Sequence, residues 1–377
     1  MKPGWEIKTI GEVCEIRSGR NQKEVENPSG KYPIYGSGGI MGYADDYLCE
    51  AGATIIGRKG SINNPIFVET QFWNVDTAFG FSPKETILPK FLFYFCKGFN
   101  FQAMNKGTTI PSLVKTDLLQ IRIPVPSIQV QQRIVDILDQ EFAKIDALKA
   151  TAEKSLQAAK DLFQATLKKE LEPKEGWKTE KIGEVFEITD FVSNGSFASL
   201  RENVKYHDEP NYAILVRLVD NSNGFDPNKF VYLDEHGYNF LAKSKLFGGE
   251  LIMCNIGATI GTTFICPDLG MPMSIGPNSL LIRTPDNIFF NYYLQSPAFK
   301  KKLKGIIAKT TLEKFNKTQF KELVISFPEK QERKRVVSRL ENLNAKSKAL
   351  QENYEKTLTL CDDLKQSLLR KAFNGDI

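Results

Sequence analysis

Gly4-Trp5-Glu6-Ile7-Lys8-Thr9-Ile10-Gly11-Glu12-Val13 returns later in the chain as Gly176-Trp177-Lys178-Thr179-Glu180-Lys181-Ile182-Gly183-Glu184-Val185. Working outward, AGATIIGRKG, with Gly52 and Gly60, matches GGELIMCNIG, with Gly249 and Gly257. Further on, Thr108-Thr109 matches Thr310-Thr311, Pro126 matches Pro328, Gln129 matches Gln331 and Arg133 matches Arg335. The interval between partners is about thirty residues longer at the prolines than at the tryptophans, so the second copy carries an insertion, most of it before Gly249. The 377 residues are one layout written twice, a pseudo-twofold internal repeat.

Each copy opens with a mixed segment, residues 1–126 and 173–328. GSGGIMGY, AGATIIG and GRKGSINNP alternate β-branched runs with turn residues, and PKFLFYFCKGFNFQAM reads as a helix packed into a core. In the second copy YAILVRLV and GELIMCNIG read as strands, NIFFNYYLQSPAFKKKL as the corresponding helix, and ELVISFP as the strand matching LLQIRIPVP.

The pattern then changes. Over 127–172, Ile134, Leu138, Phe142, Ile145, Leu148, Ala152, Leu156, Ala159, Phe163 and Leu167 recur at spacings of three and four. Over 329–377, Val336, Leu340, Leu343, Leu350, Tyr354, Leu358, Cys361, Leu364 and Leu368 repeat nearly the same register. Such a narrow stripe is a coiled-coil seam. Each helix of roughly 45 residues reaches roughly 65–70 Å, too long for its seam to be covered by one domain. Packing the two helices antiparallel resolves this, because a whole domain lies between them in sequence. The expected architecture is mixed α+β: two α/β domains separated by two long antiparallel coiled-coil helices. Two unpaired helices in an oligomer are the alternative.

Composition excludes several classes. Hydrophobic content of 41% and charged content of 25% are those of a globular chain, and no apolar run approaches the roughly 20 residues that span a bilayer. The start, MKPGWEIKTIGEV, lacks an apolar h-region and a cleavage site, so a cytoplasmic location is expected. Six scattered cysteines and two histidines, His207 and His236, provide neither a disulfide framework nor an ordinary zinc site. There is no GxxxxGK[ST] loop and no HExxH. Asn64-Pro65-Ile66-Phe67 lacks the second proline of an amino-methyltransferase tetrapeptide and reads as a turn. Glu172-Pro173-Lys174 has the ExK spacing of some nucleases but sits at a helix end, without strand context. A net charge of +5 permits a polyanionic partner without requiring one.

Glycine-rich loops with basic and hydroxyl residues are the stronger signal. In the first copy they hold Arg17, Arg20, Arg58, Lys59, Ser61, Lys106, Thr108 and Thr109. In the second, softer equivalents hold Asn194, Asn255, Thr259, Thr262, Lys309, Thr310 and Thr311. Glycine lets backbone approach a phosphate, hydroxyls and amides donate to its oxygens, and Arg or Lys supplies charge or bidentate contact to guanine. Any one of these residues is equally well a solvated turn; as a set recurring in both copies they are the expected contacts to two half-sites. Trp5 and Trp177 read as packing, and Trp73 and Tyr35 more as packing than as base stacking.

GWxxxxIGEV, the GATIIGRKG or GELIMCNIG block, Gln129…Arg133-Ile134-Val135 and Gln331…Arg335-Val336-Val337 opening the long helices, and the closing SLLRKAFNGDI together resemble the specificity (S) subunit of type I restriction-modification systems. The resemblance covers almost the whole chain. It implies two target recognition domains reading the halves of a split duplex target, held apart by helices that act as a ruler. It also implies two methyltransferase (M) partners that carry S-adenosylmethionine and methylate adenine, a motor nuclease (R) subunit where restriction follows, and no cofactor or active site in this chain. One departure concerns the helix entrance, where the family's Pro-x-x-x-Glu-Gln is Pro126-Ser-Ile-Gln-Val-Gln and Pro328-Glu-Lys-Gln-Glu-Arg. A coiled-coil protein scaffold is the competing expectation; it accounts for the helices and the repeat but not for the recurring polar loops.

Overall fold

Glu6–Thr9 pairs antiparallel with Arg122–Val125, and Lys178–Lys181 pairs the same way with Val324–Phe327, so each copy is stitched from its first strand to its last. The computed structural model describes residues 4–307 and 313–377. After each opening strand comes one helical turn, Ile10–Val13 or Ile182–Val185. Ile10 N donates to Ile121 O and Ile182 N to Leu323 O, both at 2.8 Å. The glycine of each IGEV has a steric reason: a Cβ on Gly11 would lie 3.2 Å from Leu119 Cδ2, and one on Gly183 3.0 Å from Lys321 Cβ. Trp5 and Trp177 pack against the two main cores, as expected.

The chain divides into two units, Met1–Ser155 with Asn353–Ile377, and Leu156–Glu352. In the first, Cys14–Ser18, Ala78–Pro83, Ala53–Gly57 and Ile66–Val68 form an antiparallel sheet in that order. A smaller sheet orders Gly39–Ala44, Tyr32–Gly36 and Trp73–Asn74, the last two parallel. The helix Pro89–Gly98 buries Phe91, Leu92, Phe95 and Cys96. Its expected extension through Met104 is broken: Asn100 caps a separate 3-10 turn, Phe101–Met104. Ile134, Val135, Leu138 and Phe142 of the long helix Ile128–Glu170 join this core, together with Leu369 and Ala372 of the long helix Lys330–Asn374. Lys149 pairs with Asp362 at 2.7 Å and Lys365 with Asp146 at 2.5 Å, so within this unit the helix segments run antiparallel.

In the second unit the sheet orders Glu187–Asp190, Ser279–Arg283, Leu251–Cys254 and Thr263–Ile265. A five-stranded sheet runs Tyr206–His207, Tyr232–Leu233, Ala213–Val216, Met273–Ile275 and Lys245–Leu246, with Ala213–Val216 parallel to Met273–Ile275. The insertion supplies the helices Phe197–Asn203, Leu218–Ser222 and Glu235–Phe240 and a satellite core of Phe191, Leu200, Val204, Leu233 and Tyr238. The segment read as one helix is two, Asn287–Gln295 and Pro297–Lys304, because Ser296 caps the second and Pro297 cannot continue the first. Leu167, Leu171, Val336 and Leu340 enter the main core of this unit. Ser347 Oγ donates to Ala159 O at 3.1 Å and Arg339 meets Glu170 at 3.4 Å, again an antiparallel pairing.

The stripe is narrower than its sequence pattern. Leu148, Leu350 and Leu364 are 52%, 45% and 49% exposed, against 0% at Leu138 and Leu340. Toward the end of the second helix the buried line runs through Cys361, the Lys365 stem, Leu369 and Ala372, a phase that leaves Leu364 on the flank.

The two helix entrances, where the sequence departs from the family pattern, are anchored by different side chains. Gln131 is fully buried, donates to Pro126 O and Thr86 O, and accepts from Leu88 N. Arg333 stands at the matching place, donates to Pro328 O at 2.9 Å, and holds its Nε 3.6 Å from Asp286, an ion pair too long to be a hydrogen bond. Either residue ties the first turn of its helix to the domain before it.

Candidate nucleic-acid interface

Gly57 stands opposite Ala78 and Ser18 opposite Phe79, so the ends of two strands flank the start of a third. The loops leaving that edge are tied together. Arg58 N and Lys59 N donate to Thr77 O at 2.8 and 3.2 Å, Gly19 N to Ala78 O at 3.1 Å and Arg20 N to Asn74 O at 3.0 Å. The loop after Met104 closes over them: Gly60 N donates to Pro111 O and Leu113 N to Arg58 O, both at 2.9 Å, and Lys59 forms a bridge with Ser112. Asn105 Oδ1 accepts from Gly107 N and Ser112 N, which folds the turn that carries Thr108 and Thr109.

The second copy repeats the central part of this framework, three backbone bonds and the bridge. Asn255 N donates to Asn278 O at 3.1 Å, Gly257 N to Glu313 O at 2.9 Å and Phe315 N to Asn255 O at 3.2 Å, and Ile256 bridges Lys314. The backbone cradle is thus common to the two domains and the side chains on it differ.

Within the first domain the expected residues come together with unequal freedom. Arg20, Lys59, Ser61, Thr108 and Thr109 are exposed on the tied loops. Arg58 gives one nitrogen to Asp76 O at 3.2 Å and lies 6.0 Å from the Phe79 ring, leaving the rest of its fork open. Lys106 is exposed and loosely paired with Asp117 at 3.7 Å. Arg17 is turned onto the fold instead, with Nη1 donating to Leu48 O at 2.5 Å and Nε to Glu15 at 3.2 Å. Beside it, burial pushes the Cys49 thiol up to about 12, against the pull of the Arg17 charge.

In the second domain two expectations are corrected. Asn194 spends its amide on the fold, donating to Phe191 O and Ser244 Oγ and accepting from Lys243 N, so nothing of its two donors remains for a base. Asn255 donates to Phe315 O and its Oδ1 is buried. Thr259 and Thr262 are exposed on the turn closed by Cys254 N to Thr262 O. Lys309, Thr310 and Thr311 lie outside the described residues. Lys314, bridged to Ile256, and Lys300 and Lys304, which line one cavity with Thr262, are exposed near this loop and lie outside the set expected from the sequence. The run Lys300-Lys301-Lys302 was the available signal.

Trp73 is buried and donates its indole N–H to Arg20 O at 3.1 Å, and Tyr35 meets Phe72 edge-on, so both pack. Asn64-Pro65-Ile66-Phe67 runs into the strand Ile66–Val68, with Phe67 against Phe93, so its second half is strand where a turn was expected. Among the described residues there is no group of three or more His, Cys, Asp or Glu able to hold a metal, and no helix long and apolar enough to cross a membrane.

The model of the family described as Type I restriction modification DNA specificity domain matches residues 2–158 and again 174–360. The chain belongs to that family. The two matches are two copies of the specificity domain, in step with the internal repeat. The chain is 21% identical to the type I restriction enzyme EcoDI specificity subunit of Escherichia coli, over 99% of this chain and 88% of that one. It is 24% identical to the EcoKI specificity subunit of Escherichia coli strain K12, over 78% of this chain and 67% of that one. A solved structure concerned with complex assembly and conformational transition of the type I R-M system superposes with a TM-score of 0.78 at 19% identity, covering 100% of this chain and 99% of the other. The HsdS subunit from Thermoanaerobacter tengcongensis gives 0.57 at 19% identity, covering 100% and 98%. At such identity the superpositions speak for the fold, and membership of the specificity-subunit family rests on the sequence match.

Proposed function

We propose that this chain reads a bipartite double-stranded DNA target, one half-site per domain, and directs adenine methylation by two methyltransferase subunits that bring S-adenosylmethionine. Where restriction accompanies methylation, a motor nuclease subunit is a further partner. The chain itself contributes recognition and spacing and no chemistry, acting on cytoplasmic DNA. The observation that carries this reading is the repeated loop framework: one hydrogen-bonded backbone cradle, written twice, carries Arg58-Lys59 in one domain and, in the other, a packed Asn255 followed by the exposed Thr259 and Thr262. A shared cradle with unlike side chains is what two readers of unlike sequences require, since phosphate contacts position while base-edge contacts specify. A protein scaffold has no need for paired basic and hydroxyl loops.

Base-resolved mapping of methylated adenine in host DNA, with and without the gene for this chain, tests the proposal. A chain-dependent, split, asymmetric motif is expected. Methylation that is identical in the two strains overturns it, and so does duplex binding by the chain with its partner that shows no salt dependence.

A further inference from the structure

We propose that the hairpin Tyr32–Ala44 of the first domain places Ile40 and Met41 against thymine methyl groups in the major groove of its half-site. The inference rests on the DNA-reading function proposed above and adds a specificity contact of apolar type. Tyr32–Gly36 and Gly39–Ala44 pair antiparallel down to Gly36 opposite Gly39, with Ser37-Gly38 at the turn. Gly39–Ala44 is an edge strand of its sheet, covered by Glu26 and Asn27 only at the end that holds Tyr43 and Ala44. Ile34 faces Gly42 and Tyr35 faces Ile40, so Met41 is the extra residue of a bulge, which breaks the alternation that would hide one of two adjacent apolar side chains. Here neither is hidden: Ile40 is 56% and Met41 62% exposed.

The tip of this hairpin belongs to the candidate interface. A Cβ on Gly57 would lie 3.0 Å from Ser37 Cβ, and one on Gly60 3.5 Å from Ser37 Oγ, so the turn lies against the loop that carries Arg58 and Lys59. A Cβ on Gly36 would come within 2.5 Å of Met41 Sδ and 3.7 Å of Val75 Cγ2, which puts Met41 above the same edge. An exposed apolar pair flanked by cationic loops does not suit an apolar protein partner, but it does suit a polyanion with apolar groups recessed between its charges. A two-stranded ribbon fits the major groove, where the thymine methyl is the apolar feature of the base edges.

Among the described residues, the corresponding strand of the second domain does not lead into such a hairpin. That strand, Ala213–Val216, also parallel to its neighbour, runs into Arg217 and the helix Leu218–Ser222, and Arg217 is held by Asp220 at 2.7 Å and Lys229 O at 2.8 Å. The contact is therefore confined to one half of the target.

The test compares the full chain with its Ile40→Ser/Met41→Ser variant, each expressed with the methyltransferase partner in cells lacking both. The expected methylation map keeps the split motif, relaxes a T·A position in one half-site, and leaves the other half unchanged. On a duplex carrying the mapped target, uracil in place of that thymine weakens wild-type binding about fourfold, the factor for burying one methyl group, and leaves the variant unaffected. An unchanged motif, or equal response of both proteins to uracil, overturns the inference. Complete loss of methylation by a variant that keeps its unfolding temperature also overturns it, and marks the hairpin as a protein-docking face instead. If the wild-type chain itself supports no split motif, the DNA-reading function fails first, and that arm is read independently of the variant.

Discussion

Arg58 and Asn194 both sit in glycine-containing polar loops, yet their side chains do different work. Arg58 keeps most of its guanidinium free above a backbone-anchored loop, whereas Asn194 is saturated by three partners within the fold. Arg58→Ala should therefore cost roughly 1–3 kcal/mol of binding and relax one target position, read by methylation mapping. Equal weakening on every sequence would assign it to a phosphate instead. The helix entrances make a second contrast. Arg333 is buried where the first copy has Gln131, and its cation faces Asp286 and the rings of Phe290 and Phe327. Arg333→Ala strands Asp286 and should destabilise the fold by about 3 kcal/mol or more in denaturant titration, with Arg333→Gln recovering part of the loss by restoring the bond to Pro328 O.

For the long helices, the useful distinction is between residues on the buried line and residues merely in the heptad pattern. Leu138→Ala and Leu340→Ala should each cost about 2–5 kcal/mol, because both sites are closed on all sides. Leu148→Ala, at a position 52% exposed, should change stability by less than about 0.5 kcal/mol. Matching losses at all three positions would mean that Leu148 is covered by another chain. The spacing role proposed for this chain falls to the same elements. Inserting one heptad after Ala152 together with one after Tyr354 adds about 10 Å of helix, so the mapped gap should lengthen by roughly three base pairs. A gap that does not move refutes the ruler.

At the level of the molecule, both units keep thiols in dry cores. Burial pushes Cys14 and Cys49 in the first unit and Cys266 in the second up to about 12. In the unfolded chain such thiols ionise near 9, so above that pH the unfolded state loses protons that the folded state retains. The stability they contribute is complete below pH 9 and declines as pH rises toward 12. Unfolding midpoints measured from pH 8 to 11 should fall over that range, and replacing the three cysteines by alanine should flatten the decline. The repeat, the two seams and the mixed domains were all legible beforehand, because they rest on local pattern: periodicity of apolar residues and recurrence of turn glycines are written in the order of the chain. The breaks at Asn100 and Ser296 rest on local features as well, a capping side chain at each and Pro297 at the second, but the exposure of Leu148 and Leu364 and the sorting of Arg58 from Asn194 were not legible. Each of those depends on which partner arrives from far along the chain, and hydrogen-bond saturation and burial are properties of the assembled neighbourhood, to which residue order gives no direct access.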